Sequence, residues 1–182
     1  MRADTERTVR AILEAAERVL SANPAATMEQ IAEAAGVART TVHRRFATRD
    51  ALLAALTAWA TRQFHAAVEA VGDHTPPLVA LHQVTANVLR VKIGWGFAMG
   101  TALPDDPETA RIHAEVLDRC NRLFADARDA GILRPDADLA WVRRVYYALI
   151  HEAAQPHPGT DDTPEELAAR VVDTLLDGLG PR

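Results

Sequence analysis

Arg39, Thr40, Thr41, His43 and Arg44 crowd one short stretch of this 182-residue chain. They offer guanidinium forks, hydroxyls and an imidazole, groups that recognise rather than cleave. Arginine suits paired contacts to a guanine edge, and threonine suits a base edge, a thymine methyl or a phosphate oxygen. Val37, Val42 and Phe46 recur at helical spacing on the other side of the same stretch. A short helix with a dry back and a cationic, hydrogen-bonding front fits the major groove of DNA.

The elements that must position these groups are written just upstream. Thr27 can cap a helix, and Gln30 follows three residues later, the spacing of a capping box. Ile31, Ala32 and Ala35 put small apolar groups on one face of that helix. Gly36 falls where the chain must reverse, a place for positive φ that glycine tolerates at small cost. Residues 27–46 thus predict two short helices joined by a glycine turn. An ordinary helical hairpin with a solvated arginine face explains the apolar positions equally well, but not the crowding of Arg39 to Arg44.

An apolar content of 48% marks a globular chain. Cys120 is the single cysteine, so no internal disulfide can form and a reducing cytosol fits. Residues 1–10 are polar with no signal-peptide core behind them. No apolar run approaches the roughly 20 residues that span a bilayer. A soluble, cytoplasmic protein with no membrane partner is expected. The net charge of −5 is unevenly spread: residues 1–50 carry +1 and the remainder −6. From Arg39 to Arg49 there are four arginines and no acid. A local cationic patch on an acidic body can bind DNA while the body stays off it.

The whole chain reads as helices. Apolar residues from Val9 to Leu20 give a first helix that ends near Asn23-Pro24. After the two motif helices, Thr48 caps a long one that stops near Gly72. Thr75-Pro76 opens the next, which Gly94-Trp95-Gly96 breaks or kinks. Pro104 to Glu108 starts another, running to Gly131. Asp136 opens one that Pro156-His157-Pro158-Gly159 ends. Thr163-Pro164-Glu165-Glu166 opens the last, which stops at Gly180-Pro181. There is no alternating strand pattern and no internal repeat. The expected division is 1–47 and 48–182.

With TMEQIAEAAGVARTTVHRRF followed by Thr48-Arg49-Asp50-Ala51-Leu52-Leu53 in place, the chain resembles the TetR family of transcriptional regulators. The match lies at Thr27, Ile31-Ala32, Ala35-Gly36-Val37, Thr41, Phe46 and Arg49. His43 stands where the family usually has tyrosine, Ala38 where it has serine, Thr40 for a common glycine and Arg45 for a histidine or tyrosine. These departures bear on the operator sequence and the binding strength, not on the fold. The resemblance implies an all-α fold: an N-terminal three-helix domain with a helix-turn-helix, and a C-terminal helical domain for ligand binding and dimerisation.

Within that frame, Arg39 is expected to read a guanine and Thr40 a base edge. Thr41 and Thr27 would bond phosphate, and His43, Arg44 and Arg49 would position the helix on the backbone. Two heads related by two-fold symmetry read half-sites about 34 Å apart on a palindromic operator. The last two helices are the expected homodimer surface, through Leu149, Ala153, Ala168, Val171, Val172, Leu175, Leu176 and Leu179, although that stripe could instead pack inside its own chain. Trp59, Phe64, His82, Trp95, Phe97, Met99, His113, Cys120, Tyr146 and Tyr147 are candidate walls of an effector pocket, each also suited to plain core. The expectation is a repressor released from its operator by a small apolar or aromatic effector, without cofactor or metal. Catalysis is not expected. His151-Glu152, His157 and Asp161-Asp162 lack metal-ligand spacing, and no phosphate-cradling loop or nucleophile elbow is present. The alternative is a helical interaction or small-molecule-binding module without sequence-specific DNA binding.

Overall fold

The computed structural model describes residues 2–100, 107–156, 159 and 161–179, the side chains of residues 2, 3 and 179 apart. Among the described residues the regular elements are helices: α1 (Arg2–Ala22), α2 (Met28–Ala34), α3 (Arg39–Arg45), α4 (Arg49–Glu69), α5 (Pro77–Gly94), α6 (Gly96–Gly100), α7 (Pro107–Asp129), α8 (Leu139–Ala153) and α9 (Pro164–Leu179). The expected signals at Pro104–Asp106, His157-Pro158 and Gly180-Pro181 lie outside the described residues.

Local chemistry explains most boundaries. The Gln30 amide donates to Thr27 Oγ1 at 3.2 Å and the Thr27 amide to Gln30 Oε1 at 2.8 Å, closing the capping box of α2. Gly36 turns the chain into α3 with φ +66°, and a side chain there would meet no atom, so backbone conformation alone selects glycine. The Ala51 amide donates to Thr48 Oγ1 at the start of α4. A second capping box, Thr163 with Glu166, starts α9. Two helices begin later than their sequence signals. Asp138 rather than Asp136 caps α8, accepting from the Ala140 and Trp141 amides. The Pro76 carbonyl, one residue past Thr75, receives the first α5 bond from Ala80.

Packing divides the chain into two units, residues 1–61 with 95–109 and residues 62–94 with 110–182. This differs from a cut at 47/48. Leu52, Leu56 and Ala60 on α4, and Ala98 on α6, are buried in one core with Ile12, Leu13, Leu20, Ile31, Val42 and Phe46. Burial of apolar area has no regard for chain order. The first unit also contains a charge: Glu17, only 5% exposed, accepts from the Phe97 amide at 2.7 Å and the Ala98 amide at 3.0 Å. Two backbone N–H groups at the start of α6 thus satisfy a carboxylate that would otherwise be costly to bury.

The second unit is built around Leu81, Leu89, Phe124, Leu133, Val142, Tyr146, Val172 and Leu175. Phe124 and Tyr146 meet edge to face with ring centroids 5.2 Å apart. The Thr85 hydroxyl donates to the Leu81 carbonyl at 2.6 Å. Its proton is therefore engaged, and the Tyr146 hydroxyl, 2.8 Å away, donates to Thr85.

Candidate nucleic-acid interface

α3 is held by its back and offers its front. Val42 is fully buried and Phe46 nearly so, while Arg39, Thr40, His43 and Arg44 are exposed and Thr41 is half-buried. Ala38 occupies the cap position without a side-chain bond. The Arg39 Nη2 lies 2.7 Å from Glu29 Oε1 on α2, and its Nε donates to His43 Nε2 at 3.4 Å. His43 accepts there through an unprotonated nitrogen. A hydrogen bond from its own backbone amide, and secondarily the Arg39 charge, hold the Glu29 carboxyl below the usual carboxylate value. Thr27 is exposed. Its oxygen accepts from the Gln30 amide, and its hydroxyl also bonds the Glu29 carboxylate and helps hold that group's pKa down.

Two arginines are placed differently from a simple cationic row. Arg49 turns to the loop between α1 and α2, where Nη2 donates to the Pro24 carbonyl at 2.6 Å and Nη1 to the Ala26 carbonyl. It fixes the segment that delivers Thr27. A cation in the first turn of α4 opposes the helix dipole, and these carbonyl oxygens offset that cost. Arg45 reaches back to Thr5 Oγ1 at 3.2 Å on α1. Both contacts are remote in sequence, and no local pattern signals them.

The candidate effector residues divide between the units. Trp59, Trp95, Phe97 and Met99 pack against the core of the first unit. In the second, Tyr146 and Cys120 are buried core, Phe64 packs against that core, His82 is half-buried, and His113 faces solvent. Tyr147 is 40% exposed. Burial pushes the Cys120 thiol and the Tyr146 hydroxyl above their ordinary values, so both are neutral near pH 7. Beside Cys120, among Val68, Val84 and Leu123, is a cavity of about 30 Å³, room for little more than a water. A cavity of about 460 Å³ opens between Ile93 at the end of α5, Leu149 and Ala153 on α8, and Leu167, Arg170 and Val171 on α9. Of its lining, Leu149, Ala153 and Val171 were expected at a dimer surface.

The stripe on α9 turns inward. Ala168, Val171, Val172 and Leu175 are buried in the second unit's own core, and Leu149, Ala153 and Leu176 are half-buried against it. A broad apolar stripe is what an interior helix and an interface helix share, so the spacing could not separate them. The side chain of Leu179 lies outside the described residues. The large apolar side chains that α8 leaves to solvent are Trp141, 52% exposed with the Arg144 guanidinium 5.5 Å over its ring, and Tyr147. Among the described residues no cluster of three or more His, Cys, Asp or Glu could hold a metal ion, and His157 lies outside them. No helix there is long and apolar enough to cross a membrane.

Comparison with known proteins agrees with this geometry. Residues 12–56 match the family model of bacterial regulatory proteins, tetR family. The HTH-type transcriptional repressor LfrR of Mycolicibacterium smegmatis is 34% identical over 186 residues, covering 96% of this chain and 89% of its own. The structure of LfrR in complex with proflavine superposes with a TM-score of 0.67 at 27% identity, covering 97% of this chain and 99% of that one. PfmR from Thermus thermophilus, at 20% identity and a TM-score of 0.76 over 93% of this chain and 99% of its own, shares the fold. With an exposed α3 on a sealed back, a capped α2 and these relatives, the chain belongs to the tetR family of helix-turn-helix transcriptional regulators.

Proposed function

We propose that this chain is a repressor that holds a palindromic operator as a homodimer and releases it when a small apolar or aromatic effector binds. The observation that carries this reading is the solvent-facing set Arg39, Thr40, His43 and Arg44 above the buried Val42. A helix of seven residues reaches few base pairs. Two copies about 34 Å apart read a full site. The exposed Trp141 and Tyr147 of α8 supply apolar area for the partner, in place of the inward stripe of α9.

The effector side rests on two supports. LfrR is a repressor, and its structure contains proflavine, a flat aromatic molecule. The cavity of about 460 Å³ beside α8 and α9 has the size and mostly apolar walls of a small-molecule site. An effector acts only through a difference in affinity between operator-bound and released states.

Gel retardation with duplexes from the DNA flanking the gene tests the reading. A retarded band that mixed-sequence duplex fails to compete supports it; equal competition by random duplex refutes it. Proflavine intercalates into duplex, so its binding is measured on the DNA-free protein by fluorescence. Saturable quenching that Thr174→Trp, at an exposed lining residue, weakens supports the α8–α9 cavity as the effector site, and quenching indifferent to that change excludes it.

A further inference from the structure

We propose that Glu29 determines the sequence specificity of this regulator: from α2 it aims the Arg39 guanidinium at a base edge and keeps it from settling on the phosphate backbone. The inference rests on the DNA-binding reading above and assigns a role to a residue outside the recognition helix.

The geometry is a chain of three side chains on the exposed face. Glu29 Oε1 lies 2.7 Å from Arg39 Nη2, and Arg39 Nε donates to His43 Nε2 at 3.4 Å. His43 engages Nε, while Glu29 meets Nη2 as a close ion pair and not as an aligned hydrogen bond. Among the described residues neither Nη1 nor Nη2 donates a hydrogen bond, and together they offer the parallel N–H pair that guanine O6 and N7 accept. The fork that reads guanine is therefore left open while His43 holds Nε and the Glu29 charge draws the group toward α2. Arginine gains most from such pinning, because a rigid fork held in place loses little further freedom on binding.

Glu29 also suits the first turn of α2, where a carboxylate complements the helix dipole, but that role does not require Arg39. With Arg39 64% and Glu29 46% exposed, such an ion pair contributes little to folding. The α2 capping box is made by Thr27 and Gln30, without Glu29. Near a polyanion a carboxylate is a liability for general affinity, since each phosphate contact is electrostatic. An acid paired to the base-reading arginine lowers affinity for any duplex and raises the contrast between duplexes. A lone arginine bonds phosphate wherever it finds it. One whose charge is already partly answered gains less from phosphate and keeps its directional bonds to a base.

The test is selection of bound duplexes from a pool randomised over the length of an operator, with sequencing, for the wild type, Glu29→Gln, Glu33→Gln and Arg39→Ala. Affinity for sonicated mixed-sequence duplex and the thermal midpoint of each protein are measured in parallel. Glu29→Gln is expected to lower the preference for the guanine that Arg39→Ala abolishes by roughly tenfold, while affinity for mixed duplex rises about twofold. Glu33→Gln, which removes an acid one turn further along α2, is expected to leave the preference intact. In the Arg39→Ala background, Glu29→Gln is expected to change no base preference. An unchanged motif in Glu29→Gln overturns the proposal while the DNA-binding reading stands. So does a joint fall of both affinities with a lowered midpoint, the mark of a merely structural residue. A wild type that selects no motif overturns that reading and this proposal together.

Discussion

On α3, Arg39, Thr40, His43 and Arg44 stand in solvent above one buried valine, while on α8 the Tyr146 hydroxyl donates a hydrogen bond to a buried Thr85. Behind that face the first unit buries polar groups too: Glu17 fastens α6, and the buried Thr61 hydroxyl donates to the Thr57 carbonyl at 2.9 Å. The second does likewise: besides Thr85, Asn87 donates to the Ala67 carbonyl at 3.2 Å and Arg119 to the Val71 carbonyl at 2.5 Å, both half-buried. A surface that binds needs donors left over after folding. A body that changes state needs its donors engaged in one arrangement that another arrangement can replace. Damage to the exposed face of α3 should therefore cost recognition, and damage to a buried core should cost stability.

The largest expected effect sharpens that contrast. Phe124→Ala removes a fully buried ring from the second unit and should destabilise the protein by about 3–5 kcal/mol, read as a fall in the denaturant midpoint. The molecules that remain folded should keep their preference among duplexes; an altered motif would break the separation of roles. Arg39→Ala is the converse. It should leave the midpoint within about 0.5 kcal/mol and cost about 1–3 kcal/mol of discrimination at one base pair of each half-site, by anisotropy on paired duplexes.

Gly36→Ala comes next. It forces a Cβ into φ +66° at a cost of about 1–2 kcal/mol. Because that turn sets the direction of α3, it should reduce stability and operator affinity together, unlike either change above. Tyr146→Phe is smaller, about 1 kcal/mol, because Thr85 keeps its bond to Leu81 when the phenol is lost.

The smallest effect contrasts the two capping boxes. Thr27 is paired with a neutral Gln30, whereas Thr163 is paired with Glu166, whose carboxyl the Thr163 amide and hydroxyl hold below its ordinary value. A folded value that is depressed means stability present above the unfolded pKa and lost as pH falls through the folded one. Amide resonances should show Thr163 losing its bond on acidification while Thr27 keeps its own; a shared titration would deny the difference.

What the sequence disclosed follows the reach of each interaction. Thr27 with Gln30, Thr48, Gly36, and Thr163 with Glu166 are pairs or positions separated by a turn or less, and all were legible. So was the sidedness of α3, which depends only on helical period. Arg49 bonding Pro24 and Ala26, Arg45 bonding Thr5, and Glu17 capping α6 join residues dozens of positions apart, and no spacing announces them. The same reason governs the aromatic residues. Trp59, Trp95, Phe97 and Met99 join the first unit's core, and the α9 stripe its own interior, because apolar side chains carry no address.

The central claim, that the exposed face of α3 reads DNA sequence, is tested most directly by fluorescence anisotropy of the wild-type protein on duplexes tiled across the DNA flanking its gene, at several salt concentrations. The account expects one tile to bind about a thousandfold or more tighter than a scrambled duplex of equal composition, with log affinity falling linearly against log salt. Equal binding to the tile and its scramble, or no binding to any tile at low salt, would contradict it.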